Sequence, residues 1–507
     1  MTGAVASPRG GSLNPRSLVP LGTAMAGAAI VAGLLAGQLV LNGRTIVVLA
    51  LPLALLPVII WKRPAVAPVL LLVAALTIEQ FPEQVAHTHG GETARIPLFH
   101  GLGGFRPSDL LLLLMIAVYL GRRGSEAVAW RPRSAVSKGI FTFMFAVIGG
   151  VLIGVATHGV LRVALTEARP YLYLAAAYLV TSTFVNSRAA ARAVLWGFVL
   201  GVGFKACQGV FIFLAVRRMN PRPESVLGHE ESIFFALFVL FAILLWLFGV
   251  KDRLRKVTLI LLPVVIAADL ANGRRVARLI LVAGLIVLIA IGFVALPERR
   301  RVLGRLVIGL IVFSSVYFPA YWNKTGGFAQ PARAFHSAIA PDARDSLSNL
   351  YRVQENANLK LNIHQTGPLG TGFGHRINYA LPIEDISDID PYIAYVPHNG
   401  VLYLFLRMGI LGAAAFWAML GIGIVAACRL ARHSDREVAL VATLVACALP
   451  AYALIGYNDQ GFFYYRVALF IGVLLGLAEA LARISGGGQA VPAPSGPIAI
   501  NRLRETP

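Results

Sequence analysis

Long apolar runs alternate with short polar breaks along almost the whole chain. Runs of about 17–25 apolar residues match the length needed to cross a bilayer as a helix. Read in order, they predict fourteen membrane helices at 19–41, 45–60, 64–80, 108–120, 139–157, 168–185, 190–214, 232–249, 257–271, 276–296, 302–320, 398–427, 437–456 and 461–482. The fourth run is short and is read as tilted or extended at one end. The rhythm breaks at 81–107 and at 321–397, where polar residues persist too long for a simple turn. Within the second break, Leu347, Leu350, Tyr351, Ala357 and Leu361 recur at helical spacing and predict a helix over 344–364, ended by Gly367-Pro368. The expected fold class is all-α: a polytopic integral membrane protein with about 14 (roughly 12–14) transmembrane helices and a large, partly helical extracytoplasmic loop.

Composition agrees with the pattern. A hydrophobic fraction of 57%, only 14% charged residues and a mean hydropathy of +0.72 exclude an ordinary soluble domain. Cys207, Cys428 and Cys447 all fall inside apolar runs, so they offer no disulfide framework. Arg9 and Arg16 precede an apolar run that is too long for a signal-peptide core, which predicts a first membrane anchor. The expected organisation is a cytoplasmic tail at 1–18, a polytopic domain at 19–484 containing the extracytoplasmic loop 321–397, and a disordered Gly/Pro-rich cytoplasmic tail at 485–507.

The net charge of +21 changes the picture only when divided among the loops. In so apolar a chain it predicts basic cytoplasmic loops against anionic membrane lipids, and no nucleic-acid partner. Lys62-Arg63, Arg122-Arg123, Lys251, Arg253, Arg255, Lys256, Arg299-Arg300-Arg301 and Arg429 fall on alternate connections, which places both termini in the cytoplasm. A minority of cations then face outward, against the usual bias: Arg162 and Arg169, Arg217, Arg218 and Arg222, Arg274, Arg275 and Arg278, and Arg352. Each taken singly fits lipid-headgroup contact. The short connection Asn272-Gly273-Arg274-Arg275 fits it less well. An arginine opposes insertion by about 2.5–3.5 kcal/mol at a helix centre and by less near the interface. A guanidinium fork suits a diphosphate, which accepts paired hydrogen bonds.

Several other polar positions call for chemistry. His398 follows Pro397 at the start of an apolar helix, where a lone histidine reads as an interfacial polar anchor. Arg407 lies nine residues further along, about 13–14 Å deeper, and needs a partner; Asp459 at the neighbouring span junction is one candidate, and such a pair reads as structural. His87 and His89 have metal-like spacing but lack a third ligand at a usual distance. For His229-Glu230-Glu231, the sequence leaves helix-end electrostatics, a sugar or a metal equally open. Gly370-Thr371-Gly372-Phe373-Gly374 lies in a segment expected outside the cytoplasm. It is therefore read as letting backbone approach a helix or a phosphate, not as a nucleotide loop.

The stretch from Arg352 to Phe416 ties these positions together. Pro368-Leu369-Gly370-Thr371-Gly372-Phe373-Gly374 reads as PLGxGxG. His398, Asn399, Leu402, Gly409, Gly412 and Phe416 read as the helix start HNxxLxxLxxxGxxGxxxF. In this it resembles the O-antigen ligase and O-antigen polymerase superfamily of polytopic glycosyltransferases. Arg352 matches the loop arginine of that family, and Arg274-Arg275-Val276-Ala277 loosely matches its polar–Arg–small helix start, with Arg275 in the better register.

The resemblance implies an inverting, metal-independent transferase without a cofactor, acting at the outer face of a bacterial cytoplasmic (inner) membrane. It implies an undecaprenyl-pyrophosphate-linked glycan as donor and the hydroxyl of a glycan, lipid or protein as acceptor. Arg275 and Arg352, assisted by Arg274 or Arg169, would hold the pyrophosphate, and His398 would activate the acceptor. Ligase and polymerase differ only in acceptor, and the chain carries no mark of either. A lipid-linked glycan flippase or another transporter would also be polytopic and basic, but would need neither the His398-Asn399 helix start nor the long loop. A non-catalytic scaffold would not need outward arginines at short connections.

Overall fold

A computed structural model describes residues 55–78, 107–126, 134–219, 225–324, 327–341, 343–387 and 392–486. The predicted span at 19–41, most of that at 45–60, residues 81–106 of the first polar break with its three histidines, and the tail from 487 lie outside the described residues. The chain divides into residues 1–62, described only over the helical stretch 55–62, and residues 63–507, which carry everything discussed below.

The described residues form helices and their connections, with no strand among them. In chain order the helices are α1 (Val66–Thr77), α2 (Pro107–Glu126), α3 (Ala135–Ala156), α4 (Leu161–Phe184), α5 (Arg188–Val216), α6 (Glu231–Leu247), α7 (Arg253–Asn272), α8 (Arg275–Ala295), α9 (Arg300–Tyr321), α10 (Gln330–Ile339), α11 (Ala343–Thr366), α12 (Gly400–Leu430), α13 (Arg436–Asn458) and α14 (Tyr465–Ile484). All but α10 and α11 occupy segments predicted from the apolar runs. α11 is the helix expected within the long polar stretch. The short α10, also within that stretch, was not predicted.

Seven helices among the described residues are long and apolar enough to cross a membrane: α3, α5, α8, α9 with the turn before it, α12, α13 and α14. The molecule is a polytopic α-helical membrane protein. Polar side chains set several helix starts by accepting otherwise unmatched backbone N–H groups. Ser134 caps α3, Ser187 caps α5, Asp252 caps α7 and Asp435 caps α13. Gly273 ends α7 in the left-handed conformation at φ +67°, so the chain reverses at once and Arg274 opens α8.

The helices divide into a centre and a periphery. The apolar windows of α13 and α14 are 83% and 78% buried, against 6% for that of α9, which leaves α9 to face lipid. α14 crosses α4 at Gly472 and Gly476, where an added Cβ would stand 2.3 Å from the Leu174 carbonyl oxygen and 2.8 Å from that of Tyr178. This small-xxx-small spacing lets two membrane helices approach backbone to backbone. Phe416 of α12 is buried against Phe143 of α3 and against Phe462, with ring centroids 5.2 and 4.6 Å apart.

The glycine-rich turn is built into this bundle. α12 is broken at Gly409 (φ +63°, ψ −167°), which frees backbone groups on both sides of the break. The Leu406 and Arg407 carbonyls accept the Thr371 and Gly372 N–H groups at 2.7 and 3.0 Å, and Ile410 N–H donates to Pro368 O at 2.9 Å. On its other side the turn meets α3, where Phe373 N–H donates to Gly150 O at 3.0 Å. A Cβ on Gly409 would lie 2.1 Å from Pro368 O, and one on Gly372 would lie 2.1 Å from Gly154 N. Of the two readings open for this motif, the structure takes the close approach to helices. Gly409→Ala combines an unfavourable φ with a backbone clash and is expected to destabilise the fold by roughly 3 kcal/mol or more. A thermal-unfolding midpoint in detergent equal to that of the wild type would refute this role for the break.

Candidate functional site

α11 lies on the first turns of α12, with Leu359 packed against Leu406 and Ile377. Its inward face carries a polar stripe of Glu355, Asn358 and Asn362, all buried. The two asparagines hold the segment that follows the glycine turn. Asn358 exchanges two hydrogen bonds with the Leu381 backbone, at 2.9 and 2.8 Å, and Asn362 does the same with Asn378, at 2.7 and 3.1 Å. Glu355 is directed instead at the start of α12. Its carboxylate accepts the His398 backbone N–H at 3.1 Å and meets His398 Nδ1 at 3.2 Å. The Tyr351 ring packs edge-on against the imidazole at 5.6 Å. Asn399 forms the N-cap of α12, accepting the Val401 and Leu402 N–H groups at 3.1 Å each.

The His-Asn pair therefore divides its work: Asn399 fixes the helix start, and His398 stands just before it with its ring held by a buried carboxylate. With Nδ1 turned to the Glu355 carboxylate, a neutral ring that keeps its proton there leaves Nε2 as an acceptor. Burial pushes the His398 pKa down. The Glu355 hydrogen bond and charge, together with the Asp459 charge, outweigh this against Arg352, so the net shift is upward from the ordinary histidine value.

Arg352 stands one residue after Tyr351 on α11 and donates to Asn458 O at the end of α13. Among the described residues that is its hydrogen bond, and it has no ion-pair partner there. The fully buried arginines differ, since Arg407 and Arg466 are both matched to carboxylates. A guanidinium has five donors, so Arg352 keeps most of its fork for a ligand.

The next residue, Asp459, is buried. It accepts the Gln460 N–H at 2.8 Å and bonds His229 Nδ1 at 2.5 Å. Burial alone raises the Asp459 pKa. The charges of His229, His398 and Arg352 and the His229 hydrogen bond prevail and hold it well below the usual carboxylate range.

The sequence-predicted site residues go to different places. His398 and Arg352 come together around Glu355 and the Asn458-Asp459 corner. Arg274 reaches the edge of this group: it bonds Ser225 Oγ at 2.7 Å, and its charge acts on Tyr464, itself a hydrogen-bond partner of Asp459. Arg275 donates to Ser337 Oγ of α10 at 3.1 Å, tying α8 to the long polar stretch. Arg169 is drawn to Asp109 of α2, at 3.4 Å.

The candidate Arg407–Asp459 pair does not form. Arg407 Nε binds Glu167 of α4 at 2.9 Å, because the glycine turn brings α4 and α12 together at that depth while Asp459 is engaged by His229. Glu230 and Glu231 are engaged by Arg466, at 2.7 and 2.8 Å, with Lys205 3.5 Å from Glu231. These four buried groups balance one another in charge. Among the described residues, no group of three or more His, Cys, Asp or Glu side chains could hold a metal ion.

Glu355 and His229 are the site residues that sequence reasoning did not assign. Glu355 had a signal in the spacing Tyr351, Glu355, Asn358, Asn362, a polar stripe at helical period on a helix that also has apolar positions. His229 was singled out with Glu230 and Glu231 but given no role of its own, because its partner is 230 positions away. Comparison with protein-family models and with curated proteins yields no match for this chain.

Proposed function

We propose that the chain transfers a glycan from an undecaprenyl-diphosphate-linked donor to an acceptor hydroxyl at the outer face of a bacterial cytoplasmic membrane. The observation that carries this reading is His398, held by buried Glu355 one helical turn from an arginine that has no carboxylate partner among the described residues. A base that presents Nε2 beside an available cationic fork fits the attack of a hydroxyl on an anomeric carbon bound to diphosphate. His398 takes the hydroxyl proton, the oxygen attacks C1 from the face opposite the diphosphate, and the C1–O bond breaks with inversion. Arg352 offsets the charge that builds on the leaving group. No cofactor takes part in this scheme. The matches of Pro368–Gly374 and His398–Phe416 to the O-antigen ligase and polymerase pattern support the same chemistry.

The reading includes fourteen spans, both termini in the cytoplasm and residues 321–397 outside. Reporter fusions at Arg344 and Arg504 are expected to give opposite compartments, and the same compartment for both would overturn the orientation of the site. The direct test of function is transfer by purified protein from a defined lipid-linked donor to candidate hydroxyl acceptors. Wild-type activity is expected, with Arg352→Lys impaired because an ammonium keeps the charge but loses the fork. Full activity of Arg352→Lys would remove the clamp from the scheme.

A further inference from the structure

Three successive residues at the end of α13 gather the site. Asn458 O accepts from Arg352, Asp459 binds His229, and the Gln460 side-chain amide donates to Val396 O at 3.0 Å, two residues before His398. One short corner thus fixes Arg352, His229 and the His398 segment relative to one another. The result is two histidine–carboxylate pairs at one place, His398–Glu355 and His229–Asp459. In each, the carboxylate is buried (1% and 6% side-chain exposure) and binds Nδ1, while the ring keeps an open edge (21% and 28% exposed). Among the described residues neither Nε2 carries a hydrogen bond. The scheme above uses one of these pairs.

We infer that His229, oriented by Asp459, is a second catalytic residue: its Nε2–H binds the donor diphosphate and protonates the oxygen that leaves C1. This rests on the transferase reading. His229 enters the step as an imidazolium, with Nδ1–H on Asp459 and Nε2–H on the bridging oxygen. His398 removes the acceptor proton, the new C1–O bond forms, and the old C1–O bond breaks with its electron pair on the diphosphate. That oxygen takes the Nε2 proton of His229. His398 finishes protonated and His229 neutral, and water carries one proton back between them.

The test uses the full chain in phosphatidylcholine nanodiscs, with undecaprenyl diphosphate as the binding probe and single-turnover transfer as the second readout. His229→Ala is expected to weaken undecaprenyl diphosphate binding and to slow transfer, each by roughly ten- to hundredfold, the scale of a hydrogen bond to a charged group. His398→Ala is expected to bind the probe as the wild type does. His229→Gln keeps a donor and the fold, and should fall between wild type and His229→Ala in binding. Wild-type binding by both His229 variants overturns the assignment. An equal loss of phosphatidylglycerol binding also overturns it, since the site would then be a general headgroup contact. Wild-type protein that transfers nothing, yet needs His229 to bind the probe, would sink the transferase reading and leave the diphosphate site standing.

Discussion

His398→Ala is expected to lower transfer by about 10²–10⁴, the usual consequence of losing a general base, while leaving expression and donor binding near wild type. The argument is local. Asn399, not His398, caps α12, so removing the imidazole leaves the helix start intact. Glu355→Gln gives the companion result in the pH profile. A base works unprotonated, so transfer should rise with pH through the His398 pKa, which lies above the ordinary value. The groups that set it are Glu355 and Asp459, which raise it, and Arg352 and burial, which lower it. Removing the Glu355 charge leaves the lowering influences less opposed, so the acidic limb should move to lower pH. The stability linkage has the matching sign. A raised histidine pKa stabilises the fold fully below the unfolded-state pKa, and that contribution disappears as pH rises through the folded value. An unshifted acidic limb in an active Glu355→Gln variant would show that the carboxylate does not govern the ring. Full turnover by His398→Ala would leave His398 as an interface anchor.

The second large effect is on the fold. Arg407→Ala or Glu167→Ala should each destabilise the protein by about 3–5 kcal/mol, because each strands a buried charge. Both side chains are fully buried. The arginine also donates to His375 O and Tyr395 O at 2.6 Å each and to Thr371 Oγ1 at 3.2 Å, and the carboxylate accepts from Tyr403 and from the Gly374 N–H. The pair therefore fastens both ends of the segment between the glycine turn and His398 to α4 and α12. The double variant should cost less than the sum of the singles, since they share one interaction. Thermal unfolding in detergent, with proteolysis of the 367–397 segment as a second readout, checks this. Additive single effects, or an Arg407→Ala protein as protease-resistant as wild type, would contradict it.

Much of this molecule was legible in the sequence because a bilayer imposes a length rule on each span independently of the others. Among the described residues the apolar runs coincide with helices, seven of them long and apolar enough to cross a membrane, and the periodicity around Leu347–Leu361 gave α11. Glycine in the turn was readable as a demand for close approach, and His398 as a polar group at a helix start. What the runs could not determine is which buried charges meet. Arg407 and Glu167 are 240 positions apart, Arg466 and Glu231 are 235 apart, and His229 and Asp459 are 230 apart. Helical period relates only residues within a turn or two, so partner choice depends on how the helices pack. Asp459 was a reasonable partner for Arg407 by charge alone. It is denied that partner because the break at Gly409 seats the glycine turn between α3 and α12 and carries Arg407 toward α4. By the same logic it was the packing of α11 on α12 that turned the Glu355 carboxylate to His398. The sequence by itself determined that the described residues form apolar helices suited to a membrane, and it placed a histidine and several arginines at helix ends. Only the packing decided which carboxylate holds which base, because in a low-dielectric interior each buried charge must be matched by whatever the neighbouring helix presents.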